Sequence, residues 1–240
     1  MAADWIVAFV DLELEAASGI RVGAGRGSPQ DATDLPLLRD PAGRPVIPGS
    51  SFKGVLRSAA ERLLRGVDLR LACDVLSDDR CLAGKRAASV SDLERLCWTC
   101  RLFGNPFKAG RLTAFDLVAD STDTVVRDGV AIDRAELIVK GSQKYDYEVA
   151  PPGTVFRGRL RIDDPEPGDI GLVATLLDLV DAGLITVGGG ASRGLGRLIY
   201  RSAPVFAQVR AAAFVPGAAP EVVDLAAERA AYARRLETQP

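Results

Sequence analysis

The sequence predicts a ferredoxin-like α+β sandwich in the order β, α, β, β, α, β, with one cysteine-bearing insertion after the first helix. Three observations lead there. Residues 5–16 alternate apolar and polar side chains with period two, as a strand with one buried face does. Residues 52–64 repeat apolar side chains at helical spacing, and a second helical run at 170–180 has an almost fully apolar face. Further strand-like runs at 111–120, 154–162 and 197–209 complete the order, with no internal repeat.

Taken in turn, the first strand turns Ile6, Ala8, Val10, Leu12 and Leu14 to one side. From Ser18 to Val46 the pattern dissolves into Gly23, Gly25, Gly27, Pro29, Pro36, Pro41, Gly43 and Pro45, which predicts a long surface loop lying outside the core. Pro48, with Ser50 or Ser51 as N-cap, opens the first helix, which stops near Gly66. Its apolar face holds Phe52, Val55, Leu56, Ala59, Ala60, Leu63 and Leu64, and its other face carries Lys53, Arg57, Arg62 and Arg65. Residues 68–100 form the insertion, 121–150 read as a polar, hairpin-like excursion, and 220–236 as a charged final helix.

With 240 residues, 48% apolar and 26% charged, the chain has material for a sizeable core without needing two independent domains. No apolar stretch approaches the ~20 residues of a membrane span. Asp4 stands where a secretory signal carries basic residues, so the expected location is cytoplasmic, with no membrane partner. Histidine is absent, which excludes Ser-His-Asp triads, Cys-His dyads, HExxH zinc sites and imidazole-based ribonucleases. A net charge of -2 argues against non-specific DNA coating. Locally the balance reverses: six bases face two acids from Arg39 to Arg65, and three arginines face none from Leu184 to Arg201. Of the 30 basic residues 25 are arginine, suited to bidentate phosphate contacts, although a GC-rich genome also produces that bias.

Cys73, Cys81, Cys97 and Cys100 all fall within the insertion, the last two as C-x-x-C. In a cytosolic setting this spacing favours a closed, structural tetrathiolate zinc site over disulfides; the alternative is four unrelated buried thiols. Residues 187–196 hold five glycines around Ser192 and Arg193, a loop able to bring backbone N–H groups against phosphate, or else a glycine-rich turn without a ligand. The basic face of the first helix is likewise either a phosphate contact or a solvated surface.

Together, Ile47-Pro-Gly-Ser-Ser-Phe-Lys-Gly-Val-Leu-Arg57, Leu102-Phe-Gly104 and Gly188-Gly-Gly-Ala-Ser-Arg-Gly-Leu-Gly-Arg197, in that order, resemble the RAMP superfamily of CRISPR-associated proteins. The likeness spans about residues 5–210 and is to the backbone subunit of type III effector complexes, in its zinc-bearing subset. It implies an RRM-like RAMP fold: a single domain over 1–217, with the zinc-binding insertion at 66–101 and a thumb hairpin at 121–150; the C-terminal helix expected at 218–240 lies outside the likeness.

The resemblance also implies partners and roles. Guide RNA is gripped through Ser50, Ser51, Lys53 and Arg57, and through Gly188, Gly189, Gly190, Ser192, Arg193 and Gly194. Ile132 and Arg134 belong to the thumb that wedges into the guide–target duplex, where Tyr145 and Tyr147 either stack on bases or pack within the hairpin. Asp34 occupies the position of the catalytic aspartate of target-RNA-cleaving members, with Asp31 a nearby competitor and magnesium or manganese as the catalytic metal. Other copies of the chain and other type III subunits are the implied protein partners. A non-catalytic scaffold or an end-capping subunit is the alternative.

Overall fold

The structure, a computed structural model, describes residues 6–27, 33–74, 81–82, 84–85, 88–132, 139–210 and 219–238. In chain order the elements are β1 (Ile6–Ala16), β2 (Val46–Ile47), α1 (Gly49–Val67), α2 (Val90–Glu94), α3 (Trp98–Phe103), β3 (Gly104–Asn105), β4 (Lys108–Ala109), β5 (Leu112–Ala114) and β6 (Leu117–Ala119). There follow β7 (Val125–Ile132), β8 (Val139–Val149), β9 (Val155–Asp163), α4 (Asp169–Asp181), β10 (Leu198–Tyr200), β11 (Phe206–Arg210), β12 (Glu221–Val222) and α5 (Leu225–Thr238). The antiparallel main sheet runs β12-β11-β1-β9-β6-β2, with β10 also on β1 and β5 also on β9. Counting β5 with β6 and β10 with β11, this is the ferredoxin-like arrangement that the sequence predicts. The hairpin β7–β8 forms a separate two-stranded sheet.

Burial follows the sequence periodicities. Ala8, Val10, Leu12, Leu14 and Ala16 of β1 face inward and are buried, while Asp11 and Glu13 pair across the outer face with Arg159 and Arg157 of β9. Phe52, Leu56, Ala59, Ala60 and Leu64 bring α1 onto the sheet's inner face. Helix α4 is apolar nearly all round because it is covered twice, by the sheet below and by α5 above. At Gly171 a Cβ would lie 2.4 Å from the Glu228 carbonyl, so only glycine admits α5 this closely. The C-terminal helix is therefore a third layer packed on the domain.

The structure corrects several expectations. The segment 18–46 is not outside the core: Ile20 and Leu37 are buried in it, and bridges tie Ile20 to Ala150, Arg21 to Gly188 and Leu35 to Tyr147. Neither Ser50 nor Ser51 caps α1; Pro48 holds the cap position, and the Gly49 amide donates to the Asp116 carboxylate at 2.8 Å. That carboxylate comes from the corner between β5 and β6, which splits the expected strand at 111–120 in two. The run at 197–209 divides likewise, with Pro204, which has no N–H to give a ladder, between β10 and β11. The last helix begins at Leu225, where Asp224 accepts the Ala226 and Ala227 amides at 3.0 and 3.2 Å.

Candidate nucleic-acid interface and metal centre

Along α1, Ser51, Gly54, Ser58 and Arg62 recur at helical spacing and form one exposed stripe. This stripe is one wall of a groove of about 1180 Å³. The opposite wall is built from Gly188 and Gly189 together with Arg21, Gly25 and Arg26 of the first loop. This opposite wall is held together by backbone geometry: the Gly189 amide donates to the Arg21 carbonyl at 2.7 Å. Gly188 sits at φ +89, where a Cβ would lie 2.2 Å from that same oxygen, so no other residue fits. Three arginines and no acid line the groove. Arg26 and Arg62 have no ion-pair partner among the described residues, and the buried Nε of Arg21 has no acceptor. On a chain of net charge -2 the groove is thus a concentrated positive site.

Lys53 and Arg57 lie elsewhere on α1. The Lys53 ammonium donates to the Leu112 carbonyl at 2.6 Å; burial, and then the adjacent Arg57 charge, lowers its pKa. Arg57 pairs with Glu61 at 2.8 Å and donates to the Gly104 carbonyl at 2.8 Å. Ser50 is exposed but does not line the groove. Of the helix residues named in the sequence reading, Ser51 and Arg62 line the groove while Ser50, Lys53 and Arg57 do not; Arg21, Arg26 and Ser58 line it without being singled out there. Ser58 and Arg62 follow Ser51 at seven and eleven residues, a signal present in the sequence.

The rest of the glycine loop turns toward the hairpin. Residues Ala191–Arg193 form a 3-10 turn, flanked by Gly190 and Gly194 in left-handed conformations. Gly190, Ser192 and Arg193 line a second cavity of about 340 Å³ with Tyr145 and Tyr147, and Arg21 and Leu35 border both cavities. Arg193 donates to the Tyr145 hydroxyl at 2.9 Å, and the Arg21 guanidinium lies 5.6 Å from the Tyr147 ring centroid. Ile132 ends β7, whereas Arg134 and Asp31 lie outside the described residues.

Asp34 is exposed and held to the hairpin by a reciprocal exchange: its amide donates to the Asp146 carboxylate at 2.6 Å, and the Asp146 amide donates to the Asp34 carboxylate at 3.0 Å. Arg39 reaches Glu148 at 3.2 Å, and the same carboxylate accepts the Leu37 amide at 3.0 Å. The first loop is thus fastened along the base of the hairpin.

The four cysteine sulfurs converge within 4.8 Å of one another. A tetrahedral zinc with Zn–S bonds of about 2.3 Å needs sulfurs about 3.8 Å apart, so the set fits such an ion. Backbone amides already point at the sulfurs, Cys73 and Cys100 to Cys97 and Cys97 to Cys81, at 3.3–3.4 Å, as they do around thiolates. Hydrogen bonding to Cys100 holds Cys73, Cys81 and Cys97 down to about 7, and those same bonds push Cys100 up. A cluster whose hydrogen bonds already favour thiolates is suited to a cation that displaces the remaining protons. Four protein ligands would close the coordination shell of such an ion, as in structural rather than catalytic sites.

The fold and these two sites define a ferredoxin-like protein with a cationic, glycine-walled groove and a cluster of four cysteines able to hold a metal ion. The model of the RAMP superfamily matches residues 13–199, a span that includes the end of β1, the whole of α1, all four cysteines and the glycine loop; the chain belongs to that superfamily. Membership makes it a CRISPR-associated RNA-binding subunit that works in a complex with others. Nothing among curated proteins matches it. Among the described residues no helix is long and apolar enough to cross a membrane.

Proposed function

We propose that the chain is a guide-RNA-binding, self-associating backbone subunit of a type III CRISPR effector complex, with the guide lying in the groove between α1 and the glycine loop. The observation that carries this reading is the groove: three arginines, no acid, an unpaired buried guanidinium nitrogen and open backbone on a chain that is otherwise slightly acidic. Val125, Val126 and Val130 are exposed on the hairpin, where a neighbouring copy or the target strand would cover them. Cross-linking of bound guide to peptides 51–62 and 186–194 tests the placement; cross-links confined to the outer sheet face would contradict it.

The same reading gives target cleavage to Asp34, next to the hairpin that splays the target strand. The exchange with Asp146 engages one oxygen of each carboxylate, a donor set compatible with magnesium or manganese, which lean on substrate phosphate and water. A bound ion would neutralise charge on the scissile phosphate as the ribose 2′-hydroxyl attacks in line. A non-catalytic scaffold or end-capping subunit is the second reading, favoured by the structural bond that Asp34 accepts from Asp146. In the reconstituted complex, Asp34→Ala abolishes cutting and leaves guide binding intact on the first reading; cutting that persists supports the second.

A further inference from the structure

Trp98 stands between two of the four cysteines, Cys97 and Cys100, and is buried. Its indole N–H donates to the Asp169 carboxylate at 2.6 Å. Asp169 is 0% exposed and also accepts from Arg111 at 2.6 Å and from the Glu166 amide at 2.9 Å. Onto the same indole lies Arg235 of α5, its guanidinium 4.0 Å from the ring centroid and its side chain 8% exposed. Arg235 donates to Glu166 at 2.9 Å and to the Pro167 carbonyl at 2.9 Å, while Tyr232 packs its ring 5.9 Å from Trp98. The C-terminal helix thus docks its most buried charge on the side chain framed by two candidate metal ligands.

A buried cluster of this kind is favourable only with every member in place, because removing one leaves the others desolvated and unpaired. Trp98, Leu102 and Phe103 of α3 also sit in the main core, so the cysteines act on a segment that is packed but short. Helix α3 has six residues, and α2 has five with none buried; both are far below the length at which a helix persists unaided. We infer that the four-cysteine centre is a metal-dependent latch for α5. With metal bound, Trp98 is fixed and Arg235 docks; with metal withdrawn, α3 loosens and α5 comes away from α4. This rests on the metal reading of the cysteines.

Hydrogen exchange on the full chain tests it, with metal content measured on the same samples. Withdrawing metal by chelation under reducing conditions should lower protection of peptide 225–238 at least about tenfold, while the β9 peptide 155–163 keeps its protection. Trp98→Phe, which retains all four sulfurs, should keep about one zinc per chain and still loosen α5 by a similar factor. Arg235→Ala should do the same. The latch is overturned if α5 stays protected after metal loss, if β9 opens along with it, or if metal-loaded Trp98→Phe leaves α5 unchanged. A chain that binds no zinc overturns the metal reading itself, and the metal assay reports that separately.

Discussion

On one face of α1, Ser51, Ser58 and Arg62 border the groove, and Arg62 has no ion-pair partner among the described residues. On the other, Lys53 and Arg57 are committed to the carbonyls of Leu112 and Gly104 and to Glu61. Burial works to lower the Arg57 pKa, but the hydrogen bond to Glu61 and that carboxylate's charge outweigh it and raise it. One helix therefore serves two sites of opposite logic. The groove is open and keeps cations in reserve for an external anion, whereas the cysteine side is closed and uses its cations to hold the structure together. Counting basic residues along a helix does not reveal which are available; what each one faces does.

The strongest way to break the closed side is Cys97→Ser. It should bring metal content from about one per chain to near zero and expose residues 68–97 to protease, since structural zinc supplies roughly 10–16 kcal/mol of apparent binding energy to such a fold. Elemental analysis with limited proteolysis reads both. Next comes Gly188→Ala, which forces a β-carbon into the Arg21 carbonyl at an unfavourable φ and should cost about 1–3 kcal/mol while weakening RNA binding through the displaced wall. Denaturant melts and binding curves would show the two effects together. Arg57→Ala should destabilise by about 1–2 kcal/mol by leaving the Gly104 carbonyl and the buried Glu61 without their donor, with little change in RNA affinity. A large affinity loss without destabilisation would place Arg57 on the groove side. Lys53→Ala should have the smallest effect, about 1 kcal/mol or less in melts, because its ammonium makes one hydrogen bond.

What the sequence discloses, and what it hides, follows the same division. The alternation in β1 is legible because one face is fully buried, and the apolar character of α4 hints at its second cover, α5. The cysteine spacing announces a convergent site because thiols are scarce and clustered. The groove's cations are harder to see. Arg21 and Arg26 sit among glycines in a segment that reads as surface loop, and only the pairing of Arg21 with Gly188 and Gly189 brings them opposite α1. The break between β5 and β6 is tertiary in origin: Asp116 leaves the strand to meet the Gly49 amide, a partner 67 residues away.

The central claim is that the groove, and not the Lys53 face, holds RNA phosphate. It is tested most directly by the salt dependence of guide-RNA affinity in the wild type, Arg21→Ala/Arg62→Ala and Lys53→Ala. Each phosphate contact to a single strand contributes about 0.7 to the slope of log K against log salt. The double arginine variant should therefore lose about 1.4 from that slope and bind every sequence more weakly, while Lys53→Ala keeps the wild-type slope. An unchanged slope in the arginine variant, with a reduced one in Lys53→Ala, would contradict the account.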